Sequence, residues 1–229
     1  MDQPDFLEEI KLARQGFNFV VGLDEAGRGP LAGPVVAGAV CFDFFPPLER
    51  RVREDFLNSE KSLPASLFKG RSVLRDSKQL SKAQRERWYE ILTNNKHVKW
   101  GVGVISQKII DKINILEATK LAMKRALANL AAEPDYLILD GNFLLEDLNI
   151  SQKAIISGDE KIVSIAAASI IAKVTRDRLM RQYDKKFPLY GFAQHKGYGT
   201  KKHFAALKLH GPCSLHRFSF KPVRRMKKK

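Results

Sequence analysis

Two adjacent acids, Asp24 and Glu25, follow an apolar run and precede a turn rich in glycine and proline. The run at residues 19–23 has the β-branched, aromatic and aliphatic content of a short buried strand. The glycines and prolines of residues 27–34 prevent its continuation as a helix. We therefore expect both carboxylates where a strand ends, and they repel each other unless a cation or a proton lies between them.

A third acid, Asp140, follows the apolar run at residues 136–139 and precedes Gly141. Ligands of open α/β sheets lie at the carboxyl ends of the strands, so we expect Asp140 near the first two acids. Taken alone, Asp140-Gly141 is more typical of a turn than of a functional site. Oxygen ligands on separate elements suit Mg²⁺ or Mn²⁺, and two such ions about 3.5 to 4 Å apart support phosphodiester hydrolysis.

The remaining candidates give weaker signals. Asp177 lies in a predicted helix, where the residues alone favour an ion pair with Lys173 or Arg181 over a metal site. Four late histidines lack the tight spacing of zinc ligands, which disfavours a zinc site; they are His195, His203, His210 and His216. The sequence Gly-Arg-Gly at residues 27–29 matches neither the Walker nor the dinucleotide-binding pattern, so nucleotide cofactors gain no support.

The positive charge is concentrated in one part of the chain. The net charge is +15 overall; residues 1–160 carry 22 basic and 23 acidic side chains, whereas residues 161–229 carry 18 basic and two acidic ones. This distribution predicts a polyanion-binding face in the last third of the chain. Arg224, Arg225 and the three lysines at 227–229 are expected to be disordered.

An α/β fold with a mixed sheet must position these residues, because strand-like and helix-like patterns alternate along the chain. The segment 43–75 has a weak pattern and is predicted to be a surface insertion with one helix. The pattern predicts strands at 19–23, 35–42, 98–105, 136–139 and 153–156, and helices at 6–14, 82–93, 114–130, 162–187 and 201–210.

Length and composition favour a globular protein with a substantial core, since 44% of the 229 residues are hydrophobic. Two distant cysteines, Cys41 and Cys213, indicate a reducing compartment. The sequence shows neither a signal-peptide pattern nor an apolar run of membrane-spanning length, and we expect a cytoplasmic protein without a membrane association.

The chain resembles ribonuclease HII, the type 2 ribonuclease H family of bacteria. The resemblance extends from residue 19 to about residue 220, and its motifs occur in the family's order. They are residues 24–34 (DEAGRGPLAGP), 76–78 (DSK), 139–141 (LDG), 164–177 and 195–200 (HKGYGT).

The resemblance implies an RNase H-like mixed sheet flanked by helices, in a single catalytic domain at residues 1–220. Residues 188–220 would form a small helical C-terminal part that grips the duplex, and residues 221–229 a basic tail. The implied activity is hydrolysis of the RNA strand in RNA/DNA hybrids and incision at single ribonucleotides in duplex DNA, leaving a 5′-phosphate and a 3′-hydroxyl. We expect a monomer, and the sequence does not reveal whether a replication clamp is a partner.

The resemblance also assigns roles to individual residues. The family's four metal-binding acids match Asp24, Glu25, Asp140 and Asp177. The loop that reads the ribose 2′-hydroxyl matches Gly27, Arg28 and Gly29, while Tyr198 matches a tyrosine that packs at the ribonucleotide-to-DNA step. A phosphate-contacting lysine matches Lys78.

The sequence departs from the family's pattern at residues 43–75, which are usually fewer in number. Gly-Arg-Gly at residues 27–29 also differs from the Gly-Lys-Gly of ribonuclease HIII. Two other classes remain open: a non-catalytic basic nucleic-acid-binding protein, which leaves the strand-end acids unexplained, and another metal-dependent nuclease of the same fold, such as a junction resolvase or transposase. The choice of substrate distinguishes the three.

Overall fold

The computed structural model describes residues 4–43, 74 and 77–226. The predicted insertion at residues 43–75 therefore lies outside the described residues except for its first residue and Leu74, and so does Asp76 of the DSK motif.

A mixed five-stranded sheet forms the centre of the molecule, in the order β3-β2-β1-β4-β5. The pairs β1/β2 and β2/β3 are antiparallel, and β1/β4 and β4/β5 are parallel. The mixed sheet predicted from the sequence is confirmed. The strands are β1 (Val20–Ala26), β2 (Val35–Phe42), β3 (Val98–Ile105), β4 (Tyr136–Asp140) and β5 (Ser151–Ile155).

Strand β1 is longer than the sequence predicted. Its parallel pairing with β4 ends at Leu23, whereas its antiparallel pairing with β2 continues to Ala26. Because β2 holds the backbone after β4 has ended, Asp24 and Glu25 belong to the strand itself. They lie at an edge of the sheet that is open on the β4 side.

Seven helices surround the sheet in the described residues, together with a 3₁₀ turn at Gly158–Glu160. They are α1 (Leu7–Arg14), α2 (Lys82–Asn94), α3 (Gln107–Ala128), α4 (Val163–Lys186), α5 (Phe192–His195), α6 (Lys201–His210) and α7 (Lys221–Met226). Ser81 caps α2 by accepting a hydrogen bond from the N–H of Gln84.

Helices α3 and α4 cover opposite faces of the sheet. Helix α4 lies so close to β1 and β2 that only glycine fits at two facing positions. A Cβ on Gly22 would lie 2.3 Å from the carbonyl carbon of Ser164, and one on Gly38 would lie 2.4 Å from the carbonyl oxygen of Ala168. The small residues of α4 and these glycines thus bring the helix backbone against the strand that carries the acids.

Helix α3 begins seven residues earlier than predicted and is kinked at Asn114, where φ is 68° and ψ is 172°. The Asn114 side-chain oxygen accepts hydrogen bonds from the N–H groups of Leu116 and Glu117, at 2.9 and 3.1 Å. Asn114 therefore acts as the N-cap of the second part of the helix. The sequence pattern detected only that second part.

The C-terminal segments pack onto the glycine-rich loop through a separate apolar cluster. Its buried members include Leu31, Met180, Phe192, Leu207 and Val223. The short helix α5 lies between α4 and α6 and carries Phe192 into this cluster. The expectation of disorder is wrong for Arg224 and Arg225, which lie in α7 because Val223 anchors that helix in the cluster. No helix in the described part of the chain combines the length and apolarity needed to cross a membrane.

Candidate metal centre

The parallel register of β1 and β4 places Asp24 beside Asp140. The last paired residues are Leu23 and Leu139, and one acid follows each of them. Asp24 is 4% exposed, and its Oδ1 accepts the N–H of Glu25 at 2.6 Å. Glu25, on the other face of β1, is close enough for its charge to raise the pKa of Asp24. The sequence-predicted trio therefore lies together at the carboxyl end of the parallel strands.

A fourth acid, Asp159, joins this group from the turn after β5. The N–H of Gly158 donates to Asp140 Oδ1 at 2.7 Å, which fixes the turn against β4. Carboxylate oxygens of Asp24, Asp140 and Asp159 all lie within 4.8 Å of one another. Asp159 was not among the predicted site residues, although Gly158-Asp159 closely follows a strand.

Burial and mutual repulsion disfavour full ionisation of these acids. Desolvation, followed by the charges of Glu25 and Asp140, raises the pKa of Asp24 well above its ordinary value. Desolvation likewise raises the pKa of Glu25 to about 7, although the charge of Arg28 lowers it. Desolvation also raises the pKa of Asp140, and the negative charge of Asp159 raises it further. Glu25 Oε2 is buried without a hydrogen-bond partner among the described residues. An oxygen-ligated divalent cation matches this donor set and would relieve the repulsion.

Neighbouring polar groups fix the acids in place. Lys78 Nζ donates to Asp159 Oδ2 at 2.8 Å, and its side chain is 76% exposed. Ser169 on α4 hydrogen-bonds the Asp24 carboxylate, and its Oγ is 2.8 Å from that of Ser77. The predicted phosphate-contacting lysine thus stands at the open side of the carboxylate cluster.

The structure does not bring Asp177 into the cluster. Asp177 lies eight residues beyond Ser169 on α4, which separates the two by about 12 Å along the helix axis. Its Oδ1 accepts Lys173 Nζ at 2.9 Å, so the ion pair that the residues alone favoured is confirmed. Nothing in this arrangement supports a metal-binding role for Asp177, and Asp159 occupies the place that was expected for it.

The predicted substrate loop lies beside the acids. Arg28 Nη1 is 3.5 Å from Glu25 Oε1, and Gly27 has a φ of 102°, which favours glycine. Gly29 faces the ring of Tyr198, with 3.8 Å between that ring and an ideal Cβ on the glycine. Tyr198 is 43% exposed. Arg28, Gly29 and Tyr198 are exposed and form one surface next to the carboxylates, whereas Gly27 is buried.

Two of the late histidines, His203 and His216, form a hydrogen-bonded chain. His216 Nδ1 is 3.0 Å from the N–H of Cys213, His216 Nε2 is 3.0 Å from His203 Nε2, and His203 Nδ1 is 2.9 Å from the carbonyl oxygen of Tyr198. The three contacts fit neutral rings, each donating from one nitrogen and accepting at the other. Within the described residues, the group of side chains arranged to hold a metal ion consists of Asp24, Asp140 and Asp159.

A mixed sheet flanked by helices, with carboxylates at the end of its central strands, defines the RNase H-like class of protein. The family model for ribonuclease HII matches residues 68–223. A ribonuclease HII of Acetivibrio thermocellus is 50% identical over 212 residues, which cover 93% of this chain and 73% of that protein. The chain belongs to the ribonuclease HII family.

Solved structures share the fold of this chain. The PCNA:RNase HII complex from Archaeoglobus fulgidus contains a chain that matches with a TM-score of 0.66 and 26% identity, over 89% of this chain and 95% of that one. Bst-RNase HIII in complex with Mn²⁺ shares the fold at 19% identity and a TM-score of 0.59, over 94% of this chain and 72% of that one. The protein is thus a ribonuclease H, a hydrolase that acts as an endoribonuclease on RNA in hybrids and belongs to a divalent-metal-dependent family.

Proposed function

We propose that the protein incises duplex DNA at single embedded ribonucleotides, in addition to hydrolysing the RNA strand of RNA/DNA hybrids, and leaves a 5′-phosphate and a 3′-hydroxyl. We further propose that Asp24, Glu25, Asp140 and Asp159 hold Mg²⁺ or Mn²⁺. The observation that carries the proposal is the buried carboxylate cluster beside the Gly27–Gly29 loop.

The residues of the cluster divide the work by position. The strand-end carboxylates would hold divalent ions on a rigid sheet, where such ions would supply an activated water and neutralise charge on the leaving oxygen. Ser169 keeps Asp24 in place. Lys78, exposed beside Asp159, offers a cation to the phosphate that enters the site.

Recognition of ribose requires contacts to its 2′-hydroxyl, the group that distinguishes RNA from DNA. The exposed Gly29 allows the backbone to approach the sugar closely, the buried Gly27 provides the positive φ that the loop requires, and Arg28 can hold the adjacent phosphate. The exposed ring of Tyr198, which faces Gly29, can pack against the deoxyribose that follows the ribonucleotide. These roles follow from the family resemblance, and the exposed surface formed by Arg28, Gly29 and Tyr198 supports them.

The proposed substrate is a nucleic-acid duplex that lies along the basic last third of the chain. Lys173, Arg181 and Lys196 lie near Asp177 on this side, and their charges affect one another. We propose that the protein acts as a monomer in the cytoplasm, consistent with the free cysteines Cys41 and Cys213. The PCNA complex of the Archaeoglobus fulgidus relative makes a replication clamp a partner to test.

A duplex with one embedded ribonucleotide tests the function directly. In Mg²⁺ or Mn²⁺ we expect incision at the ribonucleotide, either at the linkage on its 5′ side or at the adjacent linkage. A chelator should abolish the incision, and the all-DNA duplex should remain uncut. End-labelled products would show a 5′-phosphate and a 3′-hydroxyl. Incision of the all-DNA duplex would instead favour a nuclease that does not read the 2′-hydroxyl.

A further inference from the structure

Two buried arginines donate hydrogen bonds to the main chain of the glycine-rich loop from the protein interior. Arg176 on α4 and Arg217, between α6 and α7, are each 0% exposed. Neither forms an ion pair with a carboxylate within 4.0 Å in the part of the chain that the structure describes. Their recorded hydrogen bonds all go to main-chain carbonyl oxygens. We call these two residues the arginine pair.

Arg217 gathers four carbonyl groups from the two ends of the loop. Its Nη2 donates to Gly27 O at 2.6 Å and to Pro34 O at 3.1 Å, while Nη1 donates to Arg28 O at 2.9 Å. Its Nε donates to Gly33 O at 3.0 Å. A planar guanidinium with fixed donors suits this fan of acceptors, and an ammonium group cannot reproduce it.

These contacts orient two peptide groups. In a trans peptide the C=O and N–H point in opposite directions. Because the carbonyls of Gly27 and Arg28 point inward to Arg217, the N–H groups of Arg28 and Gly29 point outward. Arg28 and Gly29 are exposed, so these two successive N–H groups face the surface where the substrate would lie. Adjacent N–H groups of this kind favour an anion or a hydroxyl oxygen.

Arg176 connects this loop to the segment that carries Tyr198. Its Nε donates to Pro34 O at 2.9 Å, and its Nη2 donates to Lys196 O at 3.0 Å. Its guanidinium carbon is 5.8 Å from the centre of the Tyr198 ring. A Cβ on Gly27 would lie 2.1 Å from Arg176 Nε, so that glycine packs directly on the arginine side chain.

Buried cations without carboxylate partners are costly, and a fold that needed only packing would be better served by apolar side chains. Burial lowers the pKa of both guanidinium groups, that of Arg217 to about 9. A phosphate bound above the loop would compensate this buried positive charge. A polyanion in the site would therefore offset part of the free energy that burial of the arginine pair costs.

We propose that Arg217 and Arg176 are positioning residues that present the Arg28 and Gly29 N–H groups and the Tyr198 ring to the ribonucleotide. The inference rests on the proposed function of that surface. The arginine pair acts through the loop and touches no reacting atom. The C-terminal segment, which supplies Arg217, thus completes the recognition surface as well as contributing basic charge.

The test compares Arg217→Lys with the matched control Arg125→Lys. Arg125 is an exposed residue of α3 whose Nη1 donates to the carbonyl oxygen of Val104 at 3.1 Å, so the control also removes an arginine-to-carbonyl contact. The Mn²⁺ bound per protein counts molecules that are folded with an intact carboxylate cluster. On the single-ribonucleotide duplex we expect kcat per Mn²⁺-binding site to fall about tenfold to hundredfold in Arg217→Lys, with KM within about threefold. Arg125→Lys should match the parental protein.

Amide hydrogen exchange gives a readout that does not depend on activity. Leu31 N–H donates to Gly197 O at 2.8 Å and Gly33 N–H to Leu215 O at 2.9 Å. Arg217→Lys should speed exchange at these two amides and leave the β2 amide of Val40 unchanged, whereas general destabilisation would speed all three.

An unchanged kcat per Mn²⁺-binding site, or equal acceleration at all three amides, would overturn the inference. If the parental protein fails to cut the duplex, the proposed function fails, and the exchange pattern alone then decides whether the arginine pair positions the loop. If Arg217→Lys does not fold, Arg176→Lys is measured by the same criteria.

Discussion

The sequence predicted Asp177 as the fourth metal-binding acid, whereas the structure places Asp159 beside Asp24 and Asp140. Asp177 lies in a motif that resembles the family's, yet it is paired with Lys173 about 12 Å along α4 from Ser169, the residue that bonds Asp24. Asp159 is 2% exposed and has a carboxylate oxygen within 4.8 Å of those of Asp24 and Asp140. Ligand geometry favours Asp159 as the fourth acid.

Asparagine substitutions separate these two acids. Asp159→Asn should lower kcat on the single-ribonucleotide duplex at least about hundredfold, because removing a charged ligand costs several kcal/mol of transition-state stabilisation. Asp177→Asn should stay within about threefold. Steady-state rates in Mg²⁺ measure both, and a larger loss in Asp177→Asn than in Asp159→Asn would reverse the assignment.

Removing one of the paired strand acids should uncouple binding from cutting. We expect Asp24→Asn or Asp140→Asn to abolish cleavage while keeping or improving duplex affinity, because the metal loses a ligand and the phosphate meets less negative charge. Fluorescence anisotropy with the uncut duplex gives the affinity. Near-parental turnover by both variants would refute the carboxylate site.

The acids also predict how metal stabilises the protein at different pH values. The folded pKa of Glu25, about 7, lies above its ordinary value of 4.5, so the folded metal-free protein holds this proton more tightly than the unfolded chain does. That contribution to stability is present below pH 4.5 and is lost as the pH rises through 7. Mg²⁺ competes with the proton, so it should raise the unfolding temperature more at pH 8 than at pH 5.5. Asp24→Asn should reduce this difference; an equal Mg²⁺ effect at both pH values would contradict it.

At the scale of elements, the strands that carry Asp24 and Asp140 were predictable because continuous apolar runs ending at acids mark buried strands in a sheet. The extension of β1 to Ala26 was not, since it depends on pairing with β2 after β4 has ended. Asp159 lies in a short turn with no periodic pattern, and its position depends on the Gly158 hydrogen bond to Asp140. Local sequence patterns predict where strands and helices lie, whereas the contacts between these elements depend on how the strands pair in the fold.

The hydrogen-bonded histidines connect α6 to the segment before α7, and their burial leads to a prediction about how stability depends on pH. Burial, followed by the neighbouring His203, lowers the pKa of His216 from 6.5 to about 4, so the folded protein favours the neutral ring. Its contribution to stability is full above pH 6.5 and is lost as the pH falls through 4. The groups facing the ring are His203, His195, Cys213 and Tyr190.

The change His216→Phe should flatten the dependence of stability on pH. Relative to the parental protein, the loss of unfolding free energy between pH 7 and pH 4.5 should be smaller by on the order of 2 kcal/mol. Urea unfolding at the two pH values measures it, with His210→Phe at an exposed histidine as the control. Parallel pH profiles for His216→Phe and the parental protein would show that the chain is not a site of proton linkage.

The whole molecule separates its chemistry from its charge. The acids lie at the end of the central strands, in the part of the chain with nearly balanced charge, and the basic excess belongs to residues 161–229. The charge distribution was readable from the sequence because it needs no geometry. The arginine pair was not, since Arg217 and Gly27 are 190 residues apart and meet only through the tertiary fold.

Deleting residues 224–229 tests how the basic end of the chain contributes. The deletion keeps Val223, the buried residue of α7, and removes five basic side chains. We expect weaker duplex binding and a shallower dependence of log affinity on log salt, by about 0.9 per lost phosphate contact, with the cut position unchanged. An unchanged salt slope would show that these residues make no phosphate contacts.

The contact between Arg217 and Gly27 also bears on the order in which parts of the protein fold during synthesis. Synthesis delivers the acids of β1, the turn with Asp159 and the whole of α4 well before Arg217. When synthesis has passed α4, all the proposed metal ligands are present, whereas the Gly27–Gly29 loop still lacks the arginine that orients it. On the proposed assignments, the metal ligands therefore precede the last residue of the ribose-recognition surface, and that surface is complete only when a late segment of the polypeptide folds back onto its beginning.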